Sequence, residues 1–323
     1  VLGIRWLPRE DILVFDCAPL SPDLVITKRV LLSIIARLFD PVGFVSPVIM
    51  SAKIMFQQLW CMGVHWDSPV CEEMQVMVTD WLHGLSSLSS MRLPRCYSPC
   101  GWKLEEIELH CFGDASTKGY GACVYLRVLH AGKYYTALVL SKGRVAPLKN
   151  LSLPRLELMA CLLCARLLNH TRSALGLSKT TPYCCWTDSR VALGWVQGDS
   201  SRWKPFVANR VREIQNLTEP VHWRHCAGAD NPADAISRGV SAPKLIAMKS
   251  WWQGPKWLGE DAVPMPEAVA GKLETDVPEE LRKSGVCLLI PEHELVTGLP
   301  VERWSSFIKA IRITAWMLRF ISR

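Results

Sequence analysis

The chain has 323 residues, 49% of them hydrophobic and 21% charged, which excludes a disordered or collagen-like chain and leaves room for a sizeable core. No apolar run reaches the ~18 to 20 residues of a membrane span. No signal-peptide pattern opens the sequence, and 13 cysteines without a paired CxxC pattern read as reduced thiols inside a cell.

The net charge of +7 is unevenly spread: residues 108–240 hold 17 Lys and Arg against 9 Asp and Glu. A basic middle third is what a surface that meets polyanions requires, although a merely basic, solvated domain has the same composition.

The sequence opens at Val1 without an initiator Met, so it is expected to be part of a longer chain. Thr27 is placed to cap a helix whose Leu31, Ile34, Ile35 and Leu38 share a face. Asp40-Pro41-Val42-Gly43 is a turn that ends it. A second helix is expected over Pro47–Cys61 and a third over Trp66–Leu85, with residues 86–100 as a Ser-, Pro- and Cys-rich linker.

The period then changes. Ile107, Leu109 and Cys111 alternate with Glu108, His110 and Phe112 at strand spacing. Tyr120–Leu129 and Tyr134–Ser141 follow as strands around a turn at His130–Lys133. Pro154 opens a long helix with the apolar stripe Leu156, Ala160, Leu163 and Leu167. Tyr183–Thr187 is a short strand, Asp188-Ser189 caps a helix, and 203–217 is another helix. Val221–Cys226 is the last strand and Pro232 opens a final short helix. Three strands followed by helix, strand, helices, strand and helix describe a mixed sheet with helices packed on it. Trp251-Trp252-Gln253-Gly254-Pro255 precedes an acidic, Pro-containing loop. The end, Val301–Arg323, is a helix apolar nearly all round (Trp304, Phe307, Ile308, Ile311, Trp316, Phe320), as suits docking on something further.

Four acids fall at strand ends and helix starts: Asp114, Glu157, Asp188 and Asp234. Each alone is explained by a helix cap or a solvated loop. Together they can converge at one sheet edge, where carboxylates repel unless a cation sits among them. Oxygen-only ligands select Mg²⁺ or Mn²⁺, and two such ions suit phosphodiester hydrolysis.

Phe112-Gly113-Asp114-Ala115-Ser116, Pro154-Arg155-Leu156-Glu157-Leu158, Trp186-Thr187-Asp188-Ser189 and Asn231-Pro232-Ala233-Asp234-Ala235-Ile236-Ser237-Arg238 resemble the ribonuclease H domain of a long-terminal-repeat retroelement. Leu140–Lys149, Phe206–Val211 and Trp251–Pro255 narrow the resemblance to the BEL/Pao polyprotein. Leu2–Trp6, Phe39–Gly43 and Ala52-Lys53 resemble the end of a reverse transcriptase palm followed by thumb and connection.

The resemblance implies an α/β fold: a ribonuclease H-like mixed five-stranded sheet with flanking helices. It divides the chain into a mainly helical thumb/connection-like region and linker (1–100), the ribonuclease H-like domain (101–240), and a linker with a helical pre-integrase segment (241–323). It implies a metal-dependent endoribonuclease that cuts the RNA strand of an RNA–DNA hybrid, with two Mg²⁺ ions (or Mn²⁺) on Asp114, Glu157, Asp188 and Asp234. His225 is the candidate for assisting turnover. Ser116, Ser189 and Asn209 are candidates for sensing the 2′-hydroxyl, and Lys142, Arg144, Arg155 and Arg190, with Lys149, for phosphate contacts. Lys28, Arg29 and Lys53 of the thumb-like helices are candidates to track the hybrid backbone. Trp203, Trp223 and the Cys161/Cys164 pair read as core.

The expected partners are the hybrid and the rest of the polyprotein, polymerase palm upstream and integrase downstream, with no membrane. The expected location is a cytoplasmic virus-like particle with a nuclear stage. The sequence has no Tyr-x-Asp-Asp polymerase motif and no integrase zinc module. The alternative is an inactive or host-recruited remnant that binds nucleic acid or protein. An integrase-type Asp, Asp, Glu order is disfavoured because Glu157 comes second of the four.

Overall fold

The computed structural model describes residues 3–16, 24–97, 107–261, 280–281 and 307–321. Strands β1 (Gly3–Leu7) and β2 (Ile12–Asp16) form an antiparallel hairpin. Helices α1 (Lys28–Arg37), α2 (Ser46–Cys61) and α3 (Glu72–Leu85) follow. Thr27 caps α1 as expected, its Oγ1 accepting from Val30 N–H at 3.2 Å. The third helix begins at Glu72 rather than Trp66, because the segment before it bridges back to Thr27 through Pro69.

The segment expected to be a linker is structured as far as residue 97. A 3₁₀ turn at Ser86–Ser90 buries Leu88, and β3 (Leu93–Pro94) pairs with β2 to complete a three-stranded sheet. One buried leucine and a strand partner outweigh the Ser-rich composition. Residues 98–100 lie outside the described residues.

The larger sheet comprises β4 (Ile107–Ala115), β5 (Gly119–His130), β6 (Lys133–Val145), β7 (Tyr183–Thr187) and β8 (Trp223–His225). Its order is β6-β5-β4-β7-β8: the first three are antiparallel, and β4, β7 and β8 run parallel. The last strand is shorter than expected because Pro220–His222 forms a 3₁₀ turn. The helices are α4 (Leu153–Ala174), α5 (Arg190–Gln197), α6 (Pro205–Leu217), α7 (Asp234–Arg238), α8 (Ala242–Ala247) and α9 (Lys249–Gln253).

Strand alternation sends side chains to two cores. Leu109, Cys111, Val124 and Leu126 pack with α4, α5 and α6 through Leu158, Cys161, Leu162, Trp195 and Val211; Trp203 and Trp223 are buried there too. Phe112, Cys123, Tyr125, Leu138 and Trp186 point the other way, into a core shared with α1–α3 and α7–α9. Trp251, fully buried, ties the ends of this core together: its Nε1–H donates to Phe44 O at 2.8 Å, and Tyr125 Oη–H donates to Trp251 O at 2.7 Å. Residues 1–282 thus form one compact unit.

A second unit spans 283–323. It contains α10 (Phe307–Ile321), on which Ile308, Ile311, Trp316, Leu318 and Phe320 are exposed. The remainder of the expected Val301–Arg323 helix, Trp304 included, and nearly all of the acidic loop lie outside the described residues. Among the described residues no helix is long and apolar enough to cross a membrane, and the ten cysteines are free thiols.

Candidate active site

Parallel pairing of β4 with β7 sets Gly113 opposite Thr187, so the next residues, Asp114 near the end of β4 and Asp188 just past β7, lie side by side at the same end of the sheet. Helix α4 brings the third acid. It begins at Leu153, one residue before Pro154, so Glu157 lies at the start of the second turn rather than in the first. Oxygens of Asp114, Glu157 and Asp188 all lie within 4.8 Å of one another.

These carboxyls sit where water cannot fully solvate them. Burial, then the charges of Asp188 and Asp234, push Asp114 up to about 7, against a donated hydrogen bond from Ser237. Burial, then the charges of Asp114 and Asp188, push Glu157 up to about 9. Glu157 Oε2 and Asp188 Oδ1 are buried and find no hydrogen-bond partner among the described residues. A buried carboxylate oxygen without a partner is costly. A hard cation fits this donor set, since it satisfies the orphaned oxygens and cancels the mutual repulsion.

Asp234 is not part of this oxygen cluster. It opens α7 and its carboxylate pairs with Arg238 one turn later, although its charge still reaches Asp114 and Glu157. His225, half-buried on β8, donates Nε2–H to Asp188 O at 3.1 Å, the direction required because a carbonyl can only accept. His222 instead packs on the Tyr183 ring.

The residues expected to contact substrate divide into two groups. Ser116 donates to Ser237 O at 2.7 Å and accepts from Lys118 N–H, and Ser189 caps α5 by accepting from Ala192 N–H at 3.2 Å, so both hydroxyls serve the fold. Arg155 pairs with Glu280 at 2.5 Å and lies over the Phe206 ring. Lys28 is buried with its ammonium over the Trp60 and Trp66 rings, and Arg29 pairs with Asp67. Lys142, Arg144, Lys149, Arg190 and Asn209 are exposed, and Lys53 faces a cavity beside β6.

Two residues of the site were not singled out from the sequence. Ser237, fully buried, donates its hydroxyl to Asp114 Oδ2. Asn231 donates to Gly113 O at 3.0 Å and accepts from Ala233 N–H, pinning the approach to α7 against β4. Both lie within the Asn231–Arg238 motif, and a small hydroxyl three residues after an acid was the available signal.

Residues 27–189, about half of the chain, match the family model described as the Pao retrotransposon-like RNaseH-like domain. The chain belongs to that family. Its strand order and two-sided helical cover form an RNase H-like α/β fold. No curated protein matches the chain in sequence. Solved structures similar to it include RNase H1 from the halophilic archaeon Halobacterium salinarum NRC-1, at 15% identity and TM-score 0.27, covering 40% of this chain and 92% of that one. The N-terminal RNase H domain of rv2228c from Mycobacterium tuberculosis, fused to maltose binding protein, aligns at 14% identity and TM-score 0.28, covering 44% and 95%. LC11-RNase H1 in complex with an RNA/DNA hybrid aligns at 12% identity and TM-score 0.25, covering 41% and 93%.

Proposed function

We propose that this member of the Pao family is a metal-dependent endoribonuclease that hydrolyses the RNA strand of an RNA–DNA hybrid, as part of a retroelement reverse transcriptase whose palm lies upstream and whose integrase lies downstream. The observation that carries this reading is the pair of buried, unpartnered oxygens, Glu157 Oε2 and Asp188 Oδ1, beside Asp114. Asp114, Glu157 and Asp188 would hold Mg²⁺ or Mn²⁺, with Asp234 contributing once released from Arg238. Two bound ions supply an activated water and charge stabilisation at the leaving oxygen.

The chain's own groups have separate tasks. Ser237 holds Asp114 by its Oδ2. His225 is oriented beside the cluster by its Nε2–H bond to Asp188 O. Lys142, Arg144, Lys149, Arg190 and Asn209 are exposed and would carry the hybrid.

The test is cleavage of a labelled hybrid by the purified chain in Mg²⁺. Wild type should cut only the RNA strand, and Asp114→Asn or Asp188→Asn should slow cutting by roughly 10³-fold or more while hybrid binding persists. A wild-type chain that binds the hybrid but cuts neither strand would instead be a binding module.

A further inference from the structure

Two residues from far downstream of the sheet in sequence, Glu280 and Leu281, are seated on the cover formed by α4 and α6. Lys204 N–H, at the cap of α6, donates to Glu280 O at 2.8 Å, and Leu281 forms an antiparallel bridge with Trp203. Leu281 packs against the core that holds Trp203. Glu280 is only 5% exposed. Its carboxylate takes the Arg155 guanidinium in a two-point grip, accepting from Nε–H at 2.5 Å and from an Nη2–H at 3.1 Å. Arg155 also lies 4.8 Å over the Phe206 ring. One guanidinium thus joins the first turns of α4 and α6 to residue 280.

A buried ion pair repays its desolvation only with good geometry, and its best-attested use is to fix the register of an element. This pair fixes the start of α4, the turn that leads into Glu157. Among the described residues the Ser152 hydroxyl accepts no bond from the helix, so α4 starts without a side-chain cap. That start also faces repulsion. Oxygens of Glu157, Asp114 and Asp188 lie within 4.8 Å of one another, and like charges at this separation push the helix start away from the sheet. At about 100° per residue, Arg155 and Glu157 project to opposite sides of the helix. Glu280 therefore holds the helix start by its far side, through α6, without entering the carboxylate cluster.

We infer that Glu280 is a positioning residue for the metal centre: by gripping Arg155 it keeps the Glu157 carboxylate in reach of the ion that Asp114 and Asp188 share. The inference rests on the proposed metal-dependent chemistry of this site. It extends the working unit to residues 280–281, beyond the 101–240 span expected from the sequence.

The experiment uses the full chain and two readouts, Mg²⁺ affinity by calorimetry and hydrogen exchange in the metal-free protein. Glu280→Gln keeps the shape of the side chain and removes its charge. It should weaken Mg²⁺ binding and speed amide exchange over the first two turns of α4, each by about 10-fold, the scale of one lost charge-assisted hydrogen bond beside a metal ligand. Arg155→Ala should do the same, and adding Glu280→Gln to it should bring no further loss of affinity. Glu213→Gln, which breaks the other Arg–Glu pair between α4 and α6 at Arg166, should leave both readouts as in wild type. Wild-type Mg²⁺ affinity or wild-type exchange in Glu280→Gln would overturn the inference, even with a lowered urea stability, because the pair would then serve the fold alone. Wild type that cuts the hybrid, beside a Glu280→Gln variant of unaltered affinity, defeats this inference only. Wild type that binds Mg²⁺ in a Glu280-dependent way and cuts neither strand defeats the nuclease reading only.

Discussion

The two faces of the five-stranded sheet are covered by helices of different origin. One face is covered by α4, α5 and α6, which follow the strands directly in sequence. The other is covered by α1–α3 from upstream and α7–α9 from downstream, joined by contacts such as Trp251 to Phe44 across 207 residues. The carboxylates sit at the seam. Glu157 comes from the first cover, Ser237 and Asp234 from the second, and Asp114 and Asp188 from the sheet between them. Each cover therefore holds part of one site, and disturbing either layer should have distinguishable consequences.

The largest effect is expected where the second cover touches the sheet. At Gly143 a Cβ would stand 2.6 Å from Ile236 Cγ2, and at Gly121 it would stand 2.4 Å from the same atom. Gly143→Val should displace α7, cost about 1–3 kcal/mol of unfolding free energy in urea titrations, and sharply reduce cleavage. A matched insertion in the first cover, Ala165→Val on the buried face of α4, should cost a similar amount, again about 1–3 kcal/mol, with cleavage largely retained. Equal loss of cleavage in both would remove the distinction between the layers.

Next in size is the pH dependence of the metal-free fold. Asp114 and Glu157 are raised to about 7 and about 9, so between the ordinary carboxyl range and these values the folded state holds protons that the unfolded state has released. The resulting stability is complete below about pH 4 and is lost as pH rises through 7 and then 9. Asp114→Asn should flatten the lower part of that decline in urea titrations, and Mg²⁺ should offset it in the wild type. A metal-free stability that rises over the same range would contradict the arrangement of the cluster.

The smallest effect should come from one hydrogen bond across the seam. Ser237→Ala removes the hydroxyl that holds Asp114 Oδ2. Mg²⁺ affinity, followed by calorimetry, should fall about 10-fold with little change in fold stability. Unchanged affinity would show that α7 acts only through Asp234.

Much of this architecture could be read locally. Alternation along Ile107–Phe112 marks a strand with two buried faces, Thr27 announces its helix, and the acids at 114, 157 and 188 stand at element ends. Glu157 falls in the second turn because the helix starts at Leu153 behind an extended Ser152, one residue before the Pro154 that marks a helix start in the sequence. The Ser-rich segment after α3 was read as a linker because composition weighs its serines, whereas Leu88 and the pairing of Leu93 with Leu13 depend on distant partners.

By itself the sequence determined the elements, the two-faced strand and the order of the carboxylates, because periodicity and capping depend on neighbours only a few residues apart. The tertiary structure decided which acids share oxygens within 4.8 Å, that Asp234 pairs with Arg238, and that Ser237 holds Asp114. It also decided that Asp40–Gly43 meets Ser141–Arg144 around a basic cavity. Such pairings minimise buried charge and empty volume over the whole fold, so they have no fixed spacing along the chain.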